Sequence, residues 1–193
     1  MASLAIFASG TGSNFVAIAD ALAGGPHRVA VLVTDKPRAP VVERARERDI
    51  AVYHADYRPG RERSEVEREI IAELDRRDCR LIALAGFMKI LTPTIIDRFP
   101  QRIVNIHPSL LPRHAGVGAI ENSFNSGDTE LGMTIHFVDY GVDTGPIIAQ
   151  RSFNRSEVAD LQAACERIHA LEHYWYPKVV HDLLDHCSQG ATV

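Results

Sequence analysis

An amide, an imidazole and a carboxylate form a set that can donate hydrogen bonds and move protons near neutral pH. Asn105, His107 and Asp143 supply such a set. The run Ile103-Val104-Asn105-Ile106-His107 alternates apolar and polar, which predicts a short strand with Asn105 and His107 on one face. Pro108 and Pro112 then exclude a ladder or a helix, so the chain must leave the sheet as a fixed loop. The pair therefore stands at the carboxyl end of a strand, where open α/β sheets bind ligands. Asp143 follows on a turn flanked by Gly141 and Gly145. Taken singly, each residue has an ordinary explanation as a strand polar bonded to nearby backbone or as turn chemistry. Together, with the proline-locked exit, they point to a site.

The elements that must hold these groups read as strands alternating with helices. Leu4-Ala-Ile-Phe-Ala8 is a continuous apolar run, after which Phe15, Ile18, Ala19 and Leu22 recur at helical spacing until Gly24-Gly25. Residues 29–33, 50–53 and 81–85 read as further strands, 40–48 as a charged helix, and 92–99 as a short helix opened by Thr92-Pro93. Ser64-x-x-Glu67 predicts a capping box opening a helix to about Arg77, with 56–63 as a loop. Strands apolar throughout their length indicate a parallel sheet covered on both faces. After Pro112 the pattern changes. Residues 119–126 read as a helix and 132–139 with 147–153 as an antiparallel pair joined by the Asp143 turn. A long helix over 157–175 is ended or kinked by Pro177, and a last helix runs to about His186. The expected fold class is α/β: a Rossmann-like mixed, mostly parallel sheet with helices on both faces, in a single domain over residues 1–193.

A chain of 193 residues can bury about 70% of its unfolded surface in one domain. The formal net charge of −4 argues against a nucleic-acid footprint, which wants a basic face. No apolar run approaches the length needed to span a bilayer, and Met1-Ala-Ser leads straight into a strand without the regions of a signal peptide. Cys79, Cys165 and Cys187 are odd in number and far apart, which suggests neither a disulfide framework nor a metal site. The expected setting is reduced and cytoplasmic.

Ser9-Gly10-Thr11-Gly12-Ser13-Asn14 follows the first strand and enters a helix. A dinucleotide fingerprint would want a third glycine where Phe15 stands. Asp35, after the second strand, could hold a ribose but reads equally as turn chemistry. A single phosphate is the physically cleaner ligand, because the N–H groups of Gly12, Ser13 and Asn14 at a helix N-terminus, with the Ser13 hydroxyl, can cradle it. Taken alone, the loop is also explained as a glycine turn with a Ser or Asn cap. Further on, Phe87-Met88-Lys89-Ile90-Leu91 stays apolar through a strand exit. Core packing explains Phe87 and Met88 there, and explains the continuation toward Thr92-Pro93 less well.

Asn105-x-His107-Pro-Ser-Leu-Leu-Pro followed by Gly141-Val-Asp143-x-Gly resembles the catalytic signature of the folate-dependent formyltransferases. Three further blocks, Ser9 to Asn14, Leu84-Ala-Gly-Phe-Met-Lys-Ile-Leu-Thr-Pro93 and Glu172-His-Tyr-Trp-Tyr-Pro177, fit in order the family that formylates glycinamide ribonucleotide (GAR) in purine synthesis. The resemblance implies transfer of a formyl group from 10-formyltetrahydrofolate to the GAR amine, with no metal, small-molecule substrates, no nucleic-acid or membrane partner, and a monomer or homodimer. It implies one formyltransferase domain with a phosphate-binding N-terminal half and a folate-binding, catalytic C-terminal half. It assigns catalysis to Asn105, His107 and Asp143, and the GAR phosphate and polar groups to Gly12, Ser13, Asn14, Phe15, Val16 and Glu172. The folate falls to Arg63, Met88, Lys89, Ile90, Leu91 and Asn105, largely through backbone groups around Lys89. His136 and Thr134 lie near the pocket by motif position. The chain departs from the family pattern at Val117-Gly118-Ala119-Ile120, at Ala115 and at His169, all on the pocket wall.

Formyl transfer to an amine passes through a tetrahedral oxyanion and needs no Ser or Cys nucleophile, since the amine attacks. Asn105 and a charged His107 can donate to the oxyanion, each contributing on the order of 3–4 kcal/mol. Asp143 beside His107 would favour the charged imidazole and fix its orientation, and could relay a proton through water. A metal site at His107, His136 and Asp143 lacks ligand spacing, and His169 with His173, at i and i+4, lacks a third ligand. Other enzymes of the superfamily remain as alternatives. Sugar and methionyl-tRNA formyltransferases normally add a second domain, and deformylases an N-terminal one. A non-catalytic nucleotide-binding module could use the same scaffold, though a binder needs no proton-handling pair.

Overall fold

In the computed structural model, which describes residues 1–189, seven strands form one sheet in the order β3-β2-β1-β4-β5-β6-β7. They are β1 (Ser3–Phe7), β2 (Arg28–Thr34), β3 (Val52–His54), β4 (Cys79–Leu84), β5 (Ile103–His107), β6 (Glu130–Phe137) and β7 (Ile147–Asn154). The first five pair in parallel, and β6 and β7 run antiparallel. The helices are α1 (Ser13–Leu22), α2 (Pro40–Arg46), α3 (Arg63–Arg76), α4 (Pro93–Arg98), α5 (Ala119–Asn125) and α6 (Leu161–Ser188). The Rossmann-like α/β class is as expected.

Strand alternation distributes the core to both faces. Leu4 and Ile6 of β1 pack with Phe15 and Ile18 of α1, Val41 and Ala45 of α2, and Tyr176 and Val180 of α6. Ala5 and Phe7 of the same strand pack with Val66 and Ile70 of α3 and Ile95 and Ile96 of α4. Full burial of each such large apolar side chain contributes about 1.5–3 kcal/mol. The chain leaves β1 toward β2 on one side, while β4 pairs with β1 on the other. The exits of β1 and β4 therefore diverge, and a crevice opens at their carboxyl ends.

Two helix starts and one helix end differ from expectation. Helix α3 begins at Arg63 after Glu62, and no side chain caps it. Ser64 lies inside the helix, and Glu67 is buried and turned to α4, where it accepts the Thr92 N–H at 2.7 Å and the Thr92 hydroxyl. The Ser-x-x-Glu pattern was met by a tertiary partner instead of the local N–H. A capping box does occur at Asn154 and Glu157, on a short 3-10 turn, and α6 starts only at Leu161, capped by Asp160. Helix α6 then runs unbroken through Pro177. Proline in a helix costs about 3 kcal/mol, and burial of Tyr176, Val180, Leu183 and Leu184 around it offsets that. The Tyr176 hydroxyl sits 2.9 Å from the Leu84 carbonyl and 3.1 Å from that of Val104, fixing α6 over the two central strands.

Candidate active site

A cavity of about 590 Å³ occupies the crevice. Its wall is made by residues 10–14 after β1, 84–91 after β4, 105–108 after β5, 116–119, the 141–143 turn, and His136, His169 and Glu172. No helix among the described residues is long and apolar enough to cross a membrane.

The proline loop after β5 is fastened by Thr134 of β6, which pairs with His107 in register. The Leu111 N–H donates to the Thr134 hydroxyl (3.0 Å), which donates to the Ser109 carbonyl (2.7 Å). Gln150 of β7 adds a bond from Nε2 to the Leu111 carbonyl (2.8 Å). The Ser109 hydroxyl donates to the Arg113 carbonyl at 2.8 Å, which folds the chain after Pro112 back over the strand end. The 141–145 turn is shaped by close approach: a Cβ on Gly145 would lie 1.9 Å from the Phe137 carbonyl oxygen. Asp143 itself adopts φ 56, which Asp tolerates better than most residues.

Asp143 is the hub of the site. It accepts from Asn105 Nδ2 (3.2 Å) and from the Gly116 N–H (2.9 Å). His107 Nδ1 lies 3.2 Å and His136 Nε2 3.5 Å from its oxygens. The hydrogen bond with His136, the Gly116 N–H and the two imidazoles outweigh burial and hold the Asp143 carboxyl down at about 2. His107 Nε2 is 2.9 Å from the His114 carbonyl, so the ring is held between that carbonyl and the Asp143 carboxylate. Asn105 Nδ2 also reaches His136 Nε2 at 3.2 Å. The sequence reading left these N–H groups free for a reacting oxygen; at rest they are engaged within the site, so donation requires Asn105 and His107 to share or exchange partners.

At the β1 end, Gly12 takes φ 78 as the α1 N-cap residue. A Cβ there would lie 2.4 Å from Val41 Cγ2, so glycine is required by conformation and by space. Ser13 and Asn14 line the cavity. Phe15 and Val16, expected at the substrate, do not: the Phe15 side chain is buried in the core, Val16 packs against it, and the Val16 N–H is taken by the Gly12 carbonyl at 3.0 Å. Phe15 retains only a first-turn N–H to offer. Glu172 lies in the wall, buried, and accepts from Asn14 Nδ2 at 2.9 Å. Burial pushes its carboxyl up, against the pull of Asn14 and His169.

At the β4 exit, Phe87 and Leu91 are buried, whereas Met88 and Ile90 are 65% and 55% exposed. Met88 is thus not a core residue as its apolar context suggested. The Lys89 ammonium turns to Asp35 at 3.5 Å. Asp35 lies outside the cavity wall and accepts from Ser9 Oγ at 2.5 Å. Arg63, expected on a loop facing the folate, is the first residue of α3, exposed and outside the cavity wall. Helix α3 starts earlier than the capping pattern predicts and takes Arg63 into its first turn. Residues the sequence reading passed over are His114 and Gly116, which act through backbone atoms that side-chain patterns do not encode. The ring of His136, which lies near the pocket by motif position, is a direct neighbour of both Asn105 and Asp143.

The family model described as formyl transferase matches residues 2–180. The chain belongs to the formyl transferase family. It is 41% identical to phosphoribosylglycinamide formyltransferase of Bacillus subtilis (strain 168), over 98% of each chain. It is also similar to two solved structures. One is phosphoribosylglycinamide formyltransferase from Bacillus halodurans (42% identity, TM-score 0.89, 94% of this chain and 95% of that one). The other is glycinamide ribonucleotide transformylase 1 from Geobacillus kaustophilus (45% identity, TM-score 0.88, 95% and 99%). This formyl transferase is accordingly an enzyme of the transferase class.

Among the described residues of this formyl transferase, a group with metal-ligand proximity is His27, His181 and Asp185, remote from the cavity wall. His27 Nδ1 accepts the Ala2 N–H at 3.2 Å, which places its proton on Nε2, toward Asp185 at 2.9 Å. That tautomer makes a hydrogen bond and leaves no lone pair for an ion. His169, in the cavity wall, stacks on His173 at 6.3 Å between ring centroids.

Proposed function

We propose that this chain transfers the formyl group of 10-formyltetrahydrofolate to the primary amine of glycinamide ribonucleotide in purine biosynthesis. The observation that carries the reading is the Asn105, His107 and Asp143 constellation facing a cavity that also contains a helix N-terminus. The acceptor phosphate sits on the first-turn N–H groups of α1, where the backbone donors and the helix dipole favour an anion. Glu172, buried beside Asn14, binds polar groups of the acceptor. The donor rests on the backbone of residues 88–91, with its reactive carbonyl at the β5 end.

The amine attacks the formyl carbon, and its electrons move onto the carbonyl oxygen. Asn105 Nδ2 and the His107 N–H donate to that developing charge as they turn from Asp143 and the His114 carbonyl. Asp143 holds the imidazole ring by Nδ1 and balances its charge. The attacking nitrogen loses a proton and the leaving N10 gains one, with water at Asp143 as the relay. The carbon–N10 bond breaks as the carbonyl reforms. No step calls for a metal. The three free cysteines fit a reduced, cytoplasmic setting.

The test is an absorbance assay for the folate product with GAR as acceptor, run beside water and sugar-amine controls. Product formation with GAR alone is expected. Release with water alone would turn the reading to a deformylase.

A further inference from the structure

The β4 exit is fastened to the ends of β1 and β2 by a chain of polar contacts. The Ser9 N–H donates to the Gly86 carbonyl at 3.1 Å, and the Met88 N–H donates to Ser9 Oγ at 3.1 Å. With that lone pair occupied, the Ser9 hydroxyl proton goes to Asp35 Oδ1, 2.5 Å away. The second Asp35 oxygen faces Lys89 Nζ at 3.5 Å, and its side chain is 4% exposed. The Lys89 ammonium also lies 5.6 Å from the Tyr57 ring centroid. A carboxylate this deep must be paired, and Lys89 provides the charge.

The segment needs such a fastening. Phe87 and Leu91 anchor its two ends in the core, but Met88 and Ile90 between them are exposed and give the backbone no packing purchase. What fixes the path of residues 88–90 is the Ser9 hydroxyl under one peptide and the Asp35 carboxylate under the next side chain. Both charges are provided by the protein, so Lys89 acts inward and is not free to pair with a ligand.

We propose that Asp35 is a positioning residue for the formyl donor: through Ser9 and Lys89 it sets the height and orientation of the 88–91 backbone on which the donor rests. The inference rests on the donor reading given above. Asp35 lies outside the cavity wall, and it acts only through the segment it holds.

The test is two-substrate steady-state kinetics on the full chain with Asp35→Asn, Lys89→Ala and the double variant. Asp35→Asn removes the charge and turns an amide N–H toward Lys89. It is expected to raise the donor KM about fivefold, the size of a partly exposed ion pair, with kcat and acceptor KM moving less than about twofold. Lys89→Ala is expected to do the same, and the double variant no more than either, because contacting residues acting as one unit are not additive. An unchanged donor KM, an equal rise in both KM values, or multiplying effects in the double variant would overturn the proposal. Amide hydrogen exchange supplies a readout independent of turnover. The Met88 amide, bonded to Ser9 Oγ, is expected to lose protection in Ser9→Ala and in Asp35→Asn; retained protection in both overturns the proposal. Should Asp35→Asn fail to fold, Ser9→Ala and Lys89→Ala carry the same tests, with Ser9→Ala expected to raise the donor KM about tenfold from the lost hydrogen bond. A wild-type chain without formyl transfer would defeat the donor reading, while the exchange experiment would still decide whether Asp35 sets the segment.

Discussion

The two ends of the cavity are built differently. At the β5 end, Asp143 receives the Asn105 amide and the Gly116 N–H and faces two imidazoles, and its carboxyl is held at about 2. The protein has completed that end by itself. At the α1 end, Glu172 is buried with Asn14 Nδ2 as its hydrogen-bonding partner, and its carboxyl is pushed up. Asn14 Oδ1 is buried without a protein partner, and the first-turn N–H groups of α1 have no intrahelical carbonyls. Polar groups left open inside a fold cost stability. Under the function proposed above, one end is preorganised for chemistry, where charge must find its dipoles already in place, whereas the other keeps its donors and acceptors for a ligand.

The most severe way to break the contrast is Asp143→Asn. If the catalytic end works as one assembly, kcat falls about a thousandfold while both KM values hold, and His107→Ala added to it costs little more. Multiplying losses in the double variant would make the two residues independent.

Acid unfolding probes the same end without substrates. The folded carboxyl of Asp143 lies at about 2, below the ordinary 3.8. The sign is that of a depressed acid: its stabilisation is fully present above pH 3.8 and is lost as pH falls toward 2. The shift corresponds to about 2 kcal/mol, and denaturant titrations across that window should lose this slope in Asp143→Asn. An identical slope in the variant would mean that the carboxylate is not held by its neighbours.

The opposite sign applies at the other end. Glu172 is raised, so its ionisation costs stability as pH climbs above the ordinary carboxylate range. Glu172→Gln keeps an acceptor for Asn14 and removes the charge. The variant should melt higher at neutral pH and show an acceptor KM raised about tenfold. A lower melting temperature would sink the idea that this end sacrifices stability for binding. The smallest effect is expected for Ser13→Ala, about fivefold in acceptor KM with the donor KM unchanged. Loss of donor binding instead would place the phosphate elsewhere.

The parts of this site legible in sequence are those that a local rule specifies. Alternation put Asn105 and His107 on one face of a strand, and two prolines forced the chain off it. The Gly12 turn into α1 follows from two glycines after an apolar run. Other signals misled because the same pattern can be met from far away. Glu67 fits a capping box with Ser64 yet is bound to Thr92, and Pro177 reads as a helix end or kink with a separate helix beyond it, yet lies within the continuous α6.

The sequence by itself determined the strand-and-helix alternation, the parallel core and the identity of the three polar side chains, because each depends on residues a few positions apart. Only the tertiary structure decided which groups meet. Strand pairing set His136 beside Asn105, the folding back of the loop brought the His114 carbonyl and the Gly116 N–H to His107 and Asp143, and the ends of β1, β2 and β4 joined Ser9, Asp35 and Lys89. Backbone groups carry no residue identity, and contacts across tens of residues follow from sheet order, which no local period encodes.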